Sequence, residues 1–319
     1  MAVKKKRKSI EHGGYGYLFV APFFLVYGIF QLWPMIYTIY LSLFSSYKRN
    51  LREYTEFVGL GNFEQIFTNQ TFTFQFLGNT AIMWLVNFLP QILLSLLLAV
   101  WLTDTKCKLR GQGAFKIMIY MPNIITAASI SVLFYSLFSN DGPMTNFLRQ
   151  MGIITQSFNF MESVEGTRGI IAFMNFWMWY GNTMLLLIAG VLGINPSLFE
   201  AADIDGATGF KKFLHVTLPM LKPIMLFVLV TSAIGGLQMY DIPAVFNVTN
   251  GGDGLPNNTS TTITMYINLL RSNGNMGKAA AVSLVLFMVT LAISLIFFFT
   301  LSDREKKSKR TKKAKEVLA

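Results

Sequence analysis

The sequence predicts an all-α, polytopic membrane protein with about six transmembrane helices, and three observations support this fold class. Only 13% of the 319 residues are charged, against roughly 25% in soluble domains. The charges are clustered, which leaves long uncharged runs such as Gly13–Tyr47 and Gln65–Thr103. Six apolar runs approach or exceed the roughly 20 residues that cross a hydrocarbon core about 30 Å thick at 1.5 Å per residue.

The apolar runs define six spans, joined by loops too short to form separate domains of ordinary size. In chain order the predicted spans are Tyr17–Phe44, Phe74–Leu102, Ile117–Phe138, Gly169–Gly193, Pro223–Tyr240 and Ala279–Leu301. Residues 17–302 are therefore expected to form one membrane domain, between a basic N-terminus (1–16) and a basic tail (303–319). The predicted outer loops are Ser45–Thr73, Ser139–Arg168 and Asp241–Lys278, and the inner loops are Thr103–Lys116 and Ile194–Lys222.

The basic residues predict the orientation of the chain. Lys4–Lys8 and Arg304–Lys315 flank the first and last spans, and placing both termini in the cytoplasm puts 20 of the 27 lysines and arginines inside. Membrane insertion favours this arrangement, which explains the net charge of +11 without a nucleic-acid partner. Contact of the tails with anionic membrane lipid is expected.

The sequence carries no pattern of a catalytic, cofactor or metal site. Cys107 is the only cysteine, which excludes a disulfide framework and a cysteine metal site. The two histidines, His12 and His215, lie in a terminus and a loop. The segment Gly274–Lys278 comes nearest to a phosphate-binding loop, but its spacing is wrong and alanine follows the lysine.

The inner loop Ile194–Lys222 predicts a helical hairpin over residues 195–219. Asn195-Pro196 is a favourable N-cap and first-turn pair. Gly206 and Gly209 allow a sharp turn, and an amphipathic turn follows. Its polar positions are Lys211, Lys212 and His215, and its apolar positions are Phe210, Phe213 and Leu214.

Two roles are open for this hairpin. It could lie in the membrane interface and only seat the loop, or it could dock onto a partner protein. Glu200, Asp203 and Asp205 make its first part acidic, which suits an anionic leaflet poorly, although acids early in a helix also stabilise the helix dipole. The residues alone favour docking onto a partner protein over a position in the membrane interface.

The hairpin carries a long sequence motif. Glu200-Ala201-Ala202 is followed at fixed spacings by Gly206, Val216 and Leu218-Pro219. This pattern resembles the signature of permease subunits of binding-protein-dependent ABC importers, with every spacing kept and valine in place of the usual isoleucine.

Further segments are similar to the carbohydrate-uptake branch, in particular the first permease of maltose-type systems, although none matches any one sugar. They are Pro22 and Pro34, Phe57-Val58-Gly59-Leu60-Gly61-Asn62-Phe63, Asn79-Thr80, Met121-Pro122, Asp205-Gly206-Ala207 and Thr249-Asn250-Gly251-Gly252. Asp253 stands where that branch usually has a proline.

The resemblance implies a role for the hairpin and a set of partners. In this family the hairpin is a coupling-helix hairpin that inserts into a cytoplasmic ATPase. The matching residues here are Glu200, Ala201, Ala202, Asp205, Gly206, Leu218 and Pro219. The implied partners are a second permease, a dimer of ABC ATPases that binds the ATP and Mg, and an extracytoplasmic solute-binding protein. The implied location is a bacterial or archaeal cell membrane.

Polar and aromatic residues at helical spacing predict a substrate path. The spans contain no Asp, Glu, Lys, Arg or His between their ends, which favours a neutral solute over proton relays or ion conduction. The predicted path residues are Asn175, Trp179 and Asn182 on the fourth span, Thr231 and Gln238 with Gly235 on the fifth, and Tyr240 and Asp241 at its end. Aromatic faces and amides suit sugars, while the alternative is that these groups mediate helix packing.

The leading functional hypothesis is therefore the permease of an ATP-driven sugar importer that works by alternating access. Three alternatives remain: the same machine carrying a polyol or a glycerol phosphodiester, an ATP-independent carrier or channel, and a membrane-bound enzyme.

Overall fold

A computed structural model describes residues 13–49, 52–68, 70–104, 111–249, 254 and 256–317. The basic cluster Lys4–Lys8, Cys107 and the segment Asn250–Asp253 lie outside the described residues. The described part contains five helices long and apolar enough to cross a membrane, or six when one bent pair is counted as a span. The predicted fold class, a helical polytopic membrane protein, is confirmed.

The elements follow one another almost without long loops. The α-helices are α1 (Gly13–Tyr27), α2 (Trp33–Ser42), α3 (Gly61–Thr68), α4 (Gln70–Thr103), α5 (Gln112–Tyr120), α6 (Ala127–Phe138), α7 (Pro143–Gln150), α8 (Val164–Leu192), α9 (Pro196–Ile204), α10 (Gly209–Lys212), α11 (Leu218–Met220), α12 (Lys222–Leu237), α13 (Asp241–Thr249), α14 (Ile263–Ser272) and α15 (Met276–Val317). The strands are β1 (Phe44–Arg49) and β2 (Arg52–Phe57).

The chain divides into two compact units. One consists of Met1–Gln65 and Leu270–Leu284, and the other of Ile66–Leu269 and Val285–Ala319. The first unit contains the first span, which runs over Gly16–Ser42. A π-helical turn, Gly28–Leu32, joins its two helices. Pro34 explains this turn, because its ring collides with the carbonyl four residues earlier and a widened turn relieves the collision.

The first unit contains a β-hairpin that the sequence did not predict. β1 pairs with β2 in antiparallel register, with Phe44 opposite Phe57. The buried Asn62 of α3 closes this end of the first span, because its amide donates to the carbonyls of Ser42 at 2.8 Å and Phe44 at 2.9 Å. The segment 57–63 singled out in the sequence thus holds the C-terminal end of the first span.

The second unit is organised around α4 and α8, which run in the same direction. Met83, Ile171, Met184 and Leu187 are buried in its apolar core. Polar groups also bridge the two helices: the Gln91 amide donates to the Thr183 hydroxyl at 2.8 Å, and the Ser95 hydroxyl donates to the Tyr180 carbonyl at 2.7 Å. Such bonds are a common means of joining helices in a membrane.

The Asn79-Thr80 pair fastens the segment that precedes α14 to the start of α4. Asn79 donates to the carbonyls of Asn258 at 2.8 Å and Thr261 at 3.1 Å, and the Thr80 hydroxyl accepts from the Ile263 amide. Arg168 of α8 donates to the Asn79 side chain and, at 2.8 Å, to the Thr259 carbonyl.

The third predicted span, Ile117–Phe138, is not one straight helix. The helices over 112–124 and 127–150 meet at a bend of 90°. Pro122 cannot donate a backbone hydrogen bond, and the chain tightens into a 3₁₀ turn over Met121–Ile124 before Thr126 caps α6. The break packs on α8 where Gly181 leaves room, since a Cβ there would lie 2.3 Å from the Ile119 carbonyl oxygen.

The fifth span is longer than the predicted Pro223–Tyr240. It extends over Lys222–Thr249, with a break after Leu237 and a second helix, α13, from Asp241. The predicted outer loop Asp241–Lys278 is therefore wrong at its start. A charged residue ended the apolar run in the sequence, but Ile242 and Phe246 beyond it are buried, because α13 packs against α6.

Candidate functional site

The first helix of the hairpin, α9, begins at the predicted N-cap and ends at the predicted glycine turn. The Asn195 side chain accepts a hydrogen bond from the Ser197 amide at 3.1 Å, and Pro196 occupies the first turn of α9. At the other end the Ala207 amide donates to the Ala202 carbonyl at 2.9 Å, and the Gly206 amide to the Asp203 carbonyl at 3.1 Å. Gly206 has φ +71°, so the α9 terminus is a Schellman motif with glycine in its left-handed position.

An ion pair joins the two arms of the hairpin. Lys212 of α10 donates to the Asp203 carboxylate of α9, with the two atoms 2.5 Å apart. Asp203 therefore holds the hairpin together, a role that its position among the acids of the loop did not indicate. Glu200 and Asp205 are exposed, and their carboxylates have no partner among the described residues.

The hairpin presents apolar side chains to its surroundings. Ile204 is 88% exposed and Phe210 is 71% exposed, and these two residues lie on either side of the Gly206 turn. Of the two motif alanines, Ala201 is exposed and Ala202 is buried within the chain's own fold. Pro219 is exposed and Leu218 half-buried. An exposed turn with apolar groups and acids can dock into a cleft of a partner.

A cavity of about 350 Å³ lies between α4, α8, α12 and α13. It is lined by all seven residues of the predicted substrate path: Asn175, Trp179, Asn182, Thr231, Gln238, Tyr240 and Asp241. Gln238 and Tyr240 lie in the non-helical segment 238–240 between α12 and α13, and Asp241 is the first residue of α13. The structure therefore brings the predicted residues of two spans together at one place.

Several lining residues were missed in the sequence. Asn87 and Gln91 of α4 and Ser232 of α12 also line the cavity. Asn87 and Gln91 are four residues apart within an apolar helix, which is the same one-face spacing that identified the α8 residues. That spacing was the available signal.

The polar groups of the cavity differ in how many hydrogen bonds they already make. Asn87, Asn175 and Thr231 each donate to the carbonyl four residues earlier in their own helix, at 3.1, 2.9 and 2.7 Å. The side chains of Asn182 and Gln238 have no partner among the residues that the structure describes. Trp179 is 48% exposed and Tyr240 38% exposed, so their rings are accessible to a ligand.

Comparisons with known proteins identify a family and relatives of this chain. The family model described as "Binding-protein-dependent transport system inner membrane component" matches residues 80–308. The lactose transport system permease protein LacF of Rhizobium radiobacter is 34% identical over 91% of this chain and 95% of its own length. The arabinooligosaccharides transport system permease protein AraP of Bacillus subtilis is also 34% identical, over 88% of this chain and 86% of its own length.

A solved structure shares the fold. A chain of a bacterial ABC transporter involved in the import of the acidic polysaccharide alginate superimposes with a TM-score of 0.72 at 23% identity, covering 92% of this chain and 97% of that one.

Proposed function

This chain belongs to the family of inner-membrane components of binding-protein-dependent transport systems, and from that premise we propose that it imports a sugar or an oligosaccharide into the cytoplasm as the permease of an ATP-driven transporter. Its relatives named above are permeases for lactose and for arabinooligosaccharides. These similarities support a carbohydrate cargo.

The observation that carries the proposal is the cavity between α4, α8, α12 and α13. It combines two accessible aromatic rings, Trp179 and Tyr240, with amides from α4 and α8 and from Gln238 at the break after α12. Trp179 lies near the middle of α8, so a solute held there would be about halfway through that span. Sugars present apolar C–H faces that stack on rings and hydroxyls that need polar partners, and this lining offers both.

The hairpin would provide the connection to the energy source. We assign docking onto a cytoplasmic ATPase to the exposed turn around Gly206, with Ile204 and Phe210 as apolar contacts and Glu200 available to pair with a cation of the partner. Leu218 and Pro219 would carry movement of the hairpin into α12, which begins three residues after Pro219. ATP and Mg would be bound by that partner, and this chain would be a transport subunit without catalytic residues.

The transport cycle would proceed by alternating access. A solute-binding protein delivers the sugar to the outer side, and a second permease completes the path. Closure of the ATPase dimer then moves the hairpins and turns the cavity inward. Both termini lie in the cytoplasm in this arrangement, as the distribution of basic residues favours.

Site-specific photo-crosslinking in the native membrane tests the docking role. A photoreactive residue at Ile204 should capture an ABC ATPase, whereas one at Met151, which is 59% exposed in the predicted outer loop Ser139–Arg168, should not. Affinity purification of the same tagged chain should recover a second permease and a binding protein. Capture of no ATPase from Ile204 or Phe210, with the chain recovered alone, would contradict the proposal.

A further inference from the structure

We propose that the cavity accepts uncharged saccharides and excludes sugars that carry a carboxylate or a phosphate. This inference rests on the proposed function and narrows its cargo. On this inference the chain differs in its cargo from permeases of acidic polysaccharides, and a glycerol phosphodiester is excluded as its cargo.

The charges of the cavity are the first argument. Among the described residues that line it, none is Lys, Arg or His, and Asp241 is the one acid. An anion that leaves water needs a cation or several hydrogen-bond donors to replace its hydration. Among these residues it would meet no cation, and it would lie near the Asp241 carboxyl group.

The hydrogen bonds of the lining are the second argument. Three of its polar side chains each donate one hydrogen bond to a carbonyl of their own helix, namely Asn87, Asn175 and Thr231. Gln91 donates to Thr183 in the same lining. Each of these amide nitrogens keeps a second hydrogen, so both N–H donors and acceptor oxygens remain free in the lining. A sugar hydroxyl donates and accepts, so it can pair with both kinds of group, whereas an ionised carboxylate only accepts and would leave the free acceptor oxygens of the lining without a partner.

The basic residue of α8 is engaged elsewhere. Arg168 lies near the start of the same helix as Asn175 and Trp179, but its guanidinium donates to the Asn79 side chain and to the Thr259 carbonyl. It is absent from the cavity lining. Recruiting it for an anionic solute would break the bonds that hold the segment before α14 to α4.

Binding of matched neutral and acidic disaccharides tests the inference. The full chain, purified with the subunits that accompany it and held in lipid nanodiscs, would be titrated with lactose, maltose and arabinobiose and with digalacturonate. Trp179 lines the cavity and Trp101 does not, so the fluorescence change that disappears in Trp179→Phe but persists in Trp101→Phe reports cavity binding. We expect this change with at least one neutral disaccharide and none with digalacturonate at a tenfold higher concentration.

A variant that places a cation in the cavity provides a second test. Asn182→Lys should allow digalacturonate to bind and should weaken neutral disaccharides at least fivefold, while Asn182→Gln should keep the selectivity of the unmodified chain. Binding of digalacturonate to the unmodified chain as tightly as a neutral disaccharide would overturn the inference. The inference would also be overturned if none of the tested sugars gave a fluorescence change that depends on Trp179.

ATP-driven uptake measured on the same preparation separates this failure from failure of the proposed function. Uptake of an acidic saccharide would leave the sugar importer intact and refute its selectivity. Absence of any saccharide uptake would refute the importer itself.

Discussion

The turn at Gly206 gives the sharpest prediction about the hairpin. Its φ of +71° lies in the left-handed region, where a residue with a Cβ costs roughly 1–2 kcal/mol. A Cβ added there would meet no heavy atom within 4 Å, so Gly206→Ala changes backbone strain and leaves packing untouched. An opening equilibrium shifted by this energy changes about 5- to 30-fold.

Gly209 provides the matched control for this substitution. A Cβ at Gly209 also meets nothing within 4 Å, and its φ is outside the left-handed region. Both alanine substitutions restrict the unfolded chain by the same amount, so the difference between them isolates the strain at Gly206. Gly206→Asn should lie between the two, because asparagine tolerates the left-handed conformation better than other residues with a side chain.

Hydrogen exchange of the hairpin measures the effect, and coupled transport shows its consequence. In Gly206→Ala, amides over residues 202–210 should exchange about 5- to 30-fold faster, and ATP hydrolysis should be partly uncoupled from uptake. Gly209→Ala should not speed exchange and should leave coupling unchanged, so the effect of about 5- to 30-fold is read as the difference between the two alanine variants. Equal exchange in the two alanine variants would refute the assignment of Gly206 as the Schellman glycine on which docking depends.

Three further predictions concern the span contacts and the cavity. Gly181→Ala should lower thermal stability by about 1–3 kcal/mol, because its Cβ would strike the Ile119 carbonyl oxygen, whereas Gly169→Ala on the same helix meets open space and should not destabilise; equal melting temperatures would contradict the packing. Asn62→Ala should cost about 1–3 kcal/mol and melt the end of the first span early, and an unchanged transition would contradict its two hydrogen bonds. Trp179→Ala and Gln238→Ala should each lower sugar uptake roughly tenfold, an effect of about 1.4 kcal/mol, with complex assembly unchanged; normal uptake in both would remove the cavity from the solute path.

The sequence predicted best those features that depend on neighbouring residues. The ends of α9 follow from Asn195-Pro196 and from Gly206, whose effects are local. Six of the seven predicted path residues lie in apolar segments, where a polar or aromatic group is easily recognised. Helical spacing placed Asn175, Trp179 and Asn182 on one face of their span. Neither inference needed the positions of the other spans.

The features that the sequence did not predict depend on tertiary contacts. The bend after Met121-Pro122 requires a place on α8 for the broken segment, which Gly181 provides. α13 lies beyond a charged residue, and its burial depends on contact with α6. The ion pair between Asp203 and Lys212 forms only when the Gly206 turn brings α9 and α10 together.

Uptake into proteoliposomes that contain the purified complex tests the central claim most directly. With ATP supplied at the cytoplasmic face and a labelled neutral saccharide offered with the binding protein at the outer face, we expect accumulation against a gradient. Trp179→Ala should reduce this accumulation at unchanged complex assembly, and Gly206→Ala should reduce the sugar moved per ATP hydrolysed. Accumulation or equilibration at the same rate without ATP would contradict the account and favour an ATP-independent carrier.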